Sequence, residues 1–228
     1  DIPSYDDQGK RIYDTKTPNI QSTISRFSGR AINNSHVAVY YPDVSVVDAD
    51  TGARVRTAAS SVALGALAQN DAISNPWFAP AGFNRGGLSG GAAGLPVLQT
   101  ALRLSSKDRD ALYEANINPI ATFPGQGIAV YGQKTLQKKA SALDRVNVRR
   151  LLIELKRFIG GQANNLVFEQ NTIATRNKFL AIVNPYLESV VQRQGLYAYR
   201  VVMDDSNNTA DIVDRNQIVG QIFIQPAK

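Results

Sequence analysis

The sequence predicts an α/β first part, a mixed sheet flanked by helices, followed by an α+β second part that closes on an antiparallel pair of strands. Three stretches carry that reading. "HVAVYYPDVSVVDADTG" alternates and is dense in β-branched and aromatic residues, the pattern of a half-buried strand. "DRVNVRRLLIELKRFIG" repeats apolar residues at steps of three and four, the pattern of an amphipathic helix. "LYAYRVVMD" and "QIVGQIFIQ" alternate with period two across a polar connection and read as partners.

A chain of 228 residues, 43% hydrophobic and 19% charged, can bury a full-sized core without a staple. It holds no cysteine, which excludes a disulfide frame or a thiolate metal site, and its one histidine is His36. Apolar runs such as "SSVALGALA" fall far short of the roughly 20 residues that cross a bilayer, and no signal-peptide pattern opens the chain. The expectation is a soluble protein made in a cytoplasm, with no membrane insertion. The chain opens on Asp1 and its only methionine is Met203, which predicts a fragment or processed product.

The elements follow in order. Residues 1–35 are polar and rich in Asn, Ser, Thr and Pro, which predicts a loop or the edge of a missing domain. The alternating stretch from His36 reads as one strand or two joined at Pro42, ended by a turn at Asp50, Thr51 and Gly52. Ser60 or Ser61 is placed to cap a helix over "SVALGALAQND". "NPWFAPAGFNRGGLSGGAAGLP" reads as a long loop with an aromatic group, Trp77, Phe78 and Phe83. A domain boundary is expected near Leu104, dividing residues 1–104 from 105–228. Ser105 or Ser106 then caps a helix over "SSKDRDALYEANI", and short strands follow around "INPIATFPGQGIAVYGQKTL".

The helix over residues 144–159 places Val148, Leu151, Leu152, Leu155, Phe158 and Ile159 on one stripe, with Arg149, Arg150, Glu154, Lys156 and Arg157 elsewhere. Exposed pairs such as Glu154 with Arg157 are worth ~0.2–0.5 kcal/mol each, and Gly160 is expected to close the helix. A further helix is predicted over 169–183, broken at Asn184 and Pro185, with another ending at Gly195. The final strands, 196–204 and 217–225, form a ribbon whose edges need partners.

Catalytic motifs are weak. Gly87, Ser89 and Gly91 match G-x-S-x-G, but no apolar strand enters Ser89 and no histidine follows to act as base, so a flexible loop is expected rather than a hydrolase. The same glycines miss the P-loop and dinucleotide fingerprints. His36 has no partner at ligand spacing and reads as structural. Asn207, Asn208 and Thr209 read as turn chemistry. No cofactor, metal or enzymatic activity is expected. A net charge of +6 and a pI near 9.6 raise nucleic acid or an acidic protein surface as partners, with basic density at 103–109, 134–139 and 145–157.

Four stretches in this order, "LYEANINPIATFPGQGIAVYGQKTL", "ALDRVNVRRLLIELKRFIG", "FEQNTIATRNKF" and "GLYAYRVVMDDSNNTADIVDRNQIVGQIFIQPA", resemble the C-terminal domain of contractile tail sheath proteins of myovirus bacteriophages. The upstream "VAVYYPDVSVVDADTG" to "NPWFAPAGFNRG" resembles the end of the preceding, subtilisin-like sheath domain. The resemblance implies a structural protein of the virion, assembled in the host cytoplasm. It implies polymerisation around a tail tube and contraction that drives the tube through a bacterial envelope, with the work drawn from two packings of the same subunits and no nucleotide hydrolysed. Implied partners are other copies of the sheath protein, the tube protein, and baseplate and tail terminator proteins, with no specific nucleic acid. The family links subunits through terminal arms that add strands to a neighbour's sheet. Full sheath proteins continue past "IQPA", so this chain is expected to be truncated before the terminal arm and monomeric alone.

The residues expected to carry strand pairing between subunits are Tyr197, Tyr199, Val201, Ile218, Ile222 and Ile224. Arg149, Arg150, Lys156 and Arg157 are the expected tube contact, with a plain solvated helix face as the alternative. The rival functions are a nucleic-acid-binding module on the basic helix and a serine hydrolase at Ser89.

Overall fold

In the computed structural model, which describes residues 4–5, 11–12, 20–89 and 97–227, two short strands, β1 (Ser4–Tyr5) and β2 (Arg11–Ile12), pair antiparallel ahead of helix α1 (Ile20–Ser28). The alternating stretch after His36 forms two strands that enter different sheets, β3 (Val39–Tyr41) and β4 (Val44–Val47). Pro42 and Asp43 make the break. The expected turn follows β4, where Thr51 Oγ1 donates to Asp48 Oδ2 at 2.5 Å and Gly52 takes φ +67°.

β5 (Arg54–Thr57) leads into α2 (Ala59–Ile73). This helix starts ahead of the serines expected to cap it: the N-cap is Ala58, whose side chain accepts nothing. The acceptor comes instead from Asp43, whose Oδ1 takes the Ala59 N–H at 3.4 Å while Oδ2 takes Arg56 Nε at 3.1 Å. A carboxylate there also suits the positive end of the helix dipole. The Gly/Pro-rich segment is more structured than expected. It holds the short helix α3 (Gly82–Arg85) and the buried Trp77, whose carbonyl accepts from Asn147 Nδ2 at 3.1 Å. Strand β6 (Val97–Thr100) follows it and was not legible in sequence.

Ser105 caps α4 (Ser106–Glu114) through a complete capping box with Asp108. β7 (Ile117–Phe123) and β8 (Gly127–Val130) then form a hairpin. β3 pairs parallel with β7, so the order β3-β7-β8 is a mixed sheet; β4 holds β5 and β6 antiparallel in a second sheet, β5-β4-β6. Residues 117–121 of β7 are all buried, as expected for a strand covered on both faces. Side chains alternate across a strand, and the core follows that rule. Ile120 joins Val44, Val46, Val62, Leu88, Val97 and Ile128 under α2, while Ile117 joins Tyr41, Leu104 and Leu112, with Ile24 and Phe27 of α1 packed against them. The sheet is thereby flanked by helices, as the sequence predicts.

A turn of 3-10 helix (Ala142–Asp144) precedes α5 (Val146–Asn164). Gly160 does not close α5, which runs on through Gly160 and Gly161; both are exposed and nothing crowds their Cα atoms, so the only penalty is entropic. α6 (Ile173–Gln192) is one continuous helix capped by Thr172, where two helices broken at Asn184 and Pro185 were expected. Pro185 is exposed, and so is Ala181, whose carbonyl loses its partner to the proline ring; water can satisfy it. Val183, Leu187 and Val190 are fully buried on the other side and hold the helix through the proline. β9 (Leu196–Val202), α7 (Ala210–Asp214) and β10 (Gln221–Pro226) complete the chain, and β10 pairs antiparallel with β9.

The chain divides into two compact units, Asp1–Arg149 and Arg150–Lys228. The parallel pairing of β3 with β7 joins residues on either side of Leu104 in one sheet.

Candidate assembly surface

Five of the six residues expected to join subunits lie on the β9–β10 ribbon. Val201 faces Ile222 and Tyr199 faces Ile224 across the pair, and all four are half-buried. α6 packs on β9, and the Tyr199 hydroxyl donates to the Asn184 carbonyl at 3.2 Å. Burial, and then the Glu188 carboxylate, push that phenol above its ordinary range. Four of the six expected positions therefore form the inner face of the ribbon.

The other two sit elsewhere. Ile218 precedes β10 in irregular chain and is half-buried. Tyr197 is 67% exposed at a register shift, where Gln225 pairs with Ala198 and Pro226 with Leu196. A bulge of this kind re-aims the extra side chain. The outer face holds a residue that sequence reasoning missed: Phe223, 56% exposed, stands opposite Arg200. The signal was present in "QIFIQ", where the middle of three apolar residues falls in a slot that alternation reserves for polar ones.

The four basic residues of α5 divide as well. Positions seven apart lie nearly in line on a helix, which stacks Arg149 over Lys156 and Arg150 over Arg157. Arg149 is half-buried and donates through Nη2 to Ser35 Oγ, which ties this guanidinium to the segment ahead of β3. Arg150 is half-buried, whereas Lys156 and Arg157 are exposed. The expected Glu154–Arg157 ion pair forms at 2.9 Å. Deeper in the same unit Phe158 stacks on Tyr186 with ring centroids 3.7 Å apart.

Ser89 is not arranged as a nucleophile. Its Oγ accepts the Ile128 N–H at 2.7 Å, and a Cβ on Gly127 would lie 2.4 Å from it. The serine thus ties its loop to β8. Gly90 and Gly91 of the motif lie outside the described residues. His36 is exposed, with Nδ1 3.3 Å from Asn34 Oδ1. Asn207 and Asn208 serve the turn after β9, as Asn207 Nδ2 donates to the Val202 carbonyl at 2.8 Å. Among the described residues no cluster of His, Cys, Asp or Glu is placed to hold a metal ion, and no helix is long and apolar enough to cross a membrane.

No family model matches the chain. It is 43% identical over 164 residues to the tail sheath protein of Vibrio phage KVP40, covering 72% of this chain and 24% of that protein. The tail sheath protein of Enterobacteria phage T4 is 40% identical over 164 residues, with the same coverage of 72% and 24%. That of Salmonella phage ViI is 35% identical over 162 residues, covering 71% and 25%. Among solved structures, the contracted PVC sheath complex of an extracellular contractile injection system superposes with a TM-score of 0.79 at 24% identity, over 93% of this chain and 58% of that one. The contracted helical sheath of the anti-feeding prophage gives 0.73 at 25% identity, over 86% and 54%. The chain spans about a quarter of the length of the curated relatives it matches. Over nearly three quarters of its length the chain is thus similar to one part of the tail sheath proteins of myoviruses, and it shares the mixed α/β fold of a contractile sheath.

Proposed function

We propose that this chain is part of the structural subunit of a contractile phage tail sheath, which polymerises around the tail tube and contracts to drive it through the bacterial envelope during genome delivery. The observation that carries the reading is identity of 35–43% to three tail sheath proteins over nearly three quarters of the chain. Its partners are then other copies of the sheath protein, the tube protein, and the baseplate and terminator proteins at the two ends. Its place is the virion, after assembly in the host cytoplasm, and it performs no enzymatic step. Neither rival gains support: the relatives are tail sheath proteins, and Ser89 is committed to the β8 backbone.

Within that reading, residues 1–104 are the end of the subtilisin-like sheath domain and residues 105–228 belong to the sheath C-terminal domain. The β9–β10 ribbon supports a role in strand addition. β10 reads "QIFIQP", with no charged residue to discourage an incoming strand, and its backbone hydrogen-bonds only to β9 among the described strands. Lys156 and Arg157 supply the exposed part of the proposed tube contact.

The reading is tested by replacing the matching segment of a myovirus tail sheath protein with this chain and imaging the product. Tubes that shorten when triggered are the expected result. A folded chimera that stays unassembled overturns it.

A further inference from the structure

The connection between β9 and β10 is held by side-chain amides. Asn208 is 4% exposed. Its Oδ1 accepts the Val219 N–H at 2.9 Å, while its Nδ2 donates to the Val219 carbonyl at 2.8 Å and the Asp204 carbonyl at 3.2 Å. Asn171, just ahead of α6, backs this clasp by donating to Asn208 Oδ1 at 3.1 Å and to the Gln217 carbonyl at 2.8 Å. Arg176, in the first turns of α6, reaches Asp205 at 2.6 Å from a nearly buried position. Val219 stands two residues before Gln221, the first residue of β10, which pairs with Val202.

This placement addresses a difficulty in the ribbon. A two-stranded ribbon is the weakest form of sheet, and a one-residue slip exchanges its faces. Slippage would bring Gln221, Phe223 and Gln225 to the half-buried face and push Ile222 and Ile224 into water. In most hairpins a turn of two to five residues fixes register. Here residues 203–220 intervene, with α7 inside them, and no such turn exists. The Asn208 amide copies the pattern of a strand neighbour by pairing with both the N–H and the carbonyl of one residue.

We infer that Asn208 sets the register of β10, and so acts as the positioning residue that decides which side chains the ribbon presents to an added strand. The functional half of this inference rests on the strand-addition reading above; the register half rests on geometry alone. Asn171 acts through Asn208 and is a support to it.

The chain has no cysteine of its own, which makes disulfide trapping clean. Val201→Cys paired with Ile222→Cys traps the register seen here. Val201→Cys paired with Gln221→Cys or with Phe223→Cys traps the slipped ones. With Asn208 intact, the 201–222 pair alone is expected to close. In Asn208→Ala an offset pair should gain at its expense, by a factor on the order of ten, as two hydrogen bonds of ordinary net strength imply. An unchanged trapping pattern overturns the inference.

If Asn208→Ala fails to fold, amide exchange in the unsubstituted chain decides. A Val219 N–H that exchanges as slowly as the β10 amides bonded to β9 upholds the assignment, and one that exchanges at the rate of an open loop overturns it. Failure of the sheath reading has a different signature, since the chimera would then not assemble while the trapping result stood.

Discussion

Asn118 pairs with the backbone of Lys134 through both ends of its amide: Oδ1 accepts the Lys134 N–H at 2.6 Å and Nδ2 donates to the Lys134 carbonyl at 2.8 Å. The same Nδ2 donates to the Val39 carbonyl at 3.0 Å, so one fully buried side chain binds β3, β7 and the segment after β8. Asn118→Ala leaves three backbone groups unpaired away from water, and each buried orphan costs about 1–3 kcal/mol. A loss of roughly 3 kcal/mol or more is expected from urea denaturation, with an unchanged m-value. Asn118→Asp should be worse at neutral pH than in acid, because a carboxylate facing two carbonyl oxygens must take up a proton to donate to either.

Leu187 and Ile182 lie on one helix and separate burial from hydrophobicity. Leu187 is 0% exposed and Ile182 is 46% exposed. Leu187→Ala should cost about 2–5 kcal/mol through lost transfer energy and the cavity left behind. Ile182→Ala should fall below about 1 kcal/mol. Thermal melts of the two variants check the difference, and equal losses would mean that α6 packs through another face.

How far the fold was legible depended on whether the deciding contact was local. The Ser105–Asp108 capping box and the alternation of "QIFIQ" sit within a few residues, and both elements follow from them. The start of α2 did not, because its acceptor is Asp43, carried on the other side of β5. Pro185 signals a helix break by local rules, and only the burial of Val183, Leu187 and Val190 overrides it. The ribbon's partners were legible from period two, yet the bulge that turns Tyr197 outward depends on pairing geometry that no periodicity encodes. On α5 the apolar stripe was clear, while the capture of Arg149 by Ser35, far away in sequence, was not.

Asp108 gives the capping box a pH signature. The Ser105 hydroxyl, and then the Ser105 N–H, hydrogen-bond its carboxylate and hold the carboxyl below its ordinary value of 3.8. A depressed folded-state pKa contributes stability that is present above the unfolded value and lost as pH falls through the folded one. The melting temperature should therefore fall on acidification below about pH 4, and Asp108→Asn should make that fall shallower. Asp48 and Asp204 are lowered in the same direction by the Thr51 and Ser206 hydroxyls, so a residual slope will remain in the variant.

Ser89→Ala distinguishes a structural serine from a nucleophile. The substitution removes the acceptor of the Ile128 N–H on β8, and a loss of about 1 kcal/mol is expected. Ester turnover by the purified chain should be at the background rate before and after the change. Turnover that disappears in the variant while its melting temperature holds would restore the hydrolase reading.

Lys156 and Arg157 test the proposed tube contact with little risk to folding. Both side chains are exposed, and Arg157 forms a surface pair with Glu154 at 2.9 Å. Such pairs contribute about 0–1 kcal/mol, so Lys156→Glu with Arg157→Glu should melt close to the unsubstituted chain. Attraction between exposed charges is screened over about 8–10 Å at ordinary ionic strength, and rim charges act mainly on the rate of encounter. In a chimeric sheath subunit mixed with purified myovirus tail tubes, association should slow at low salt on charge reversal. The difference between the two proteins should narrow as salt is raised. Equal association rates at low salt would return these residues to a plain solvated face, and Arg149, already bound to Ser35, could not replace them without releasing that bond.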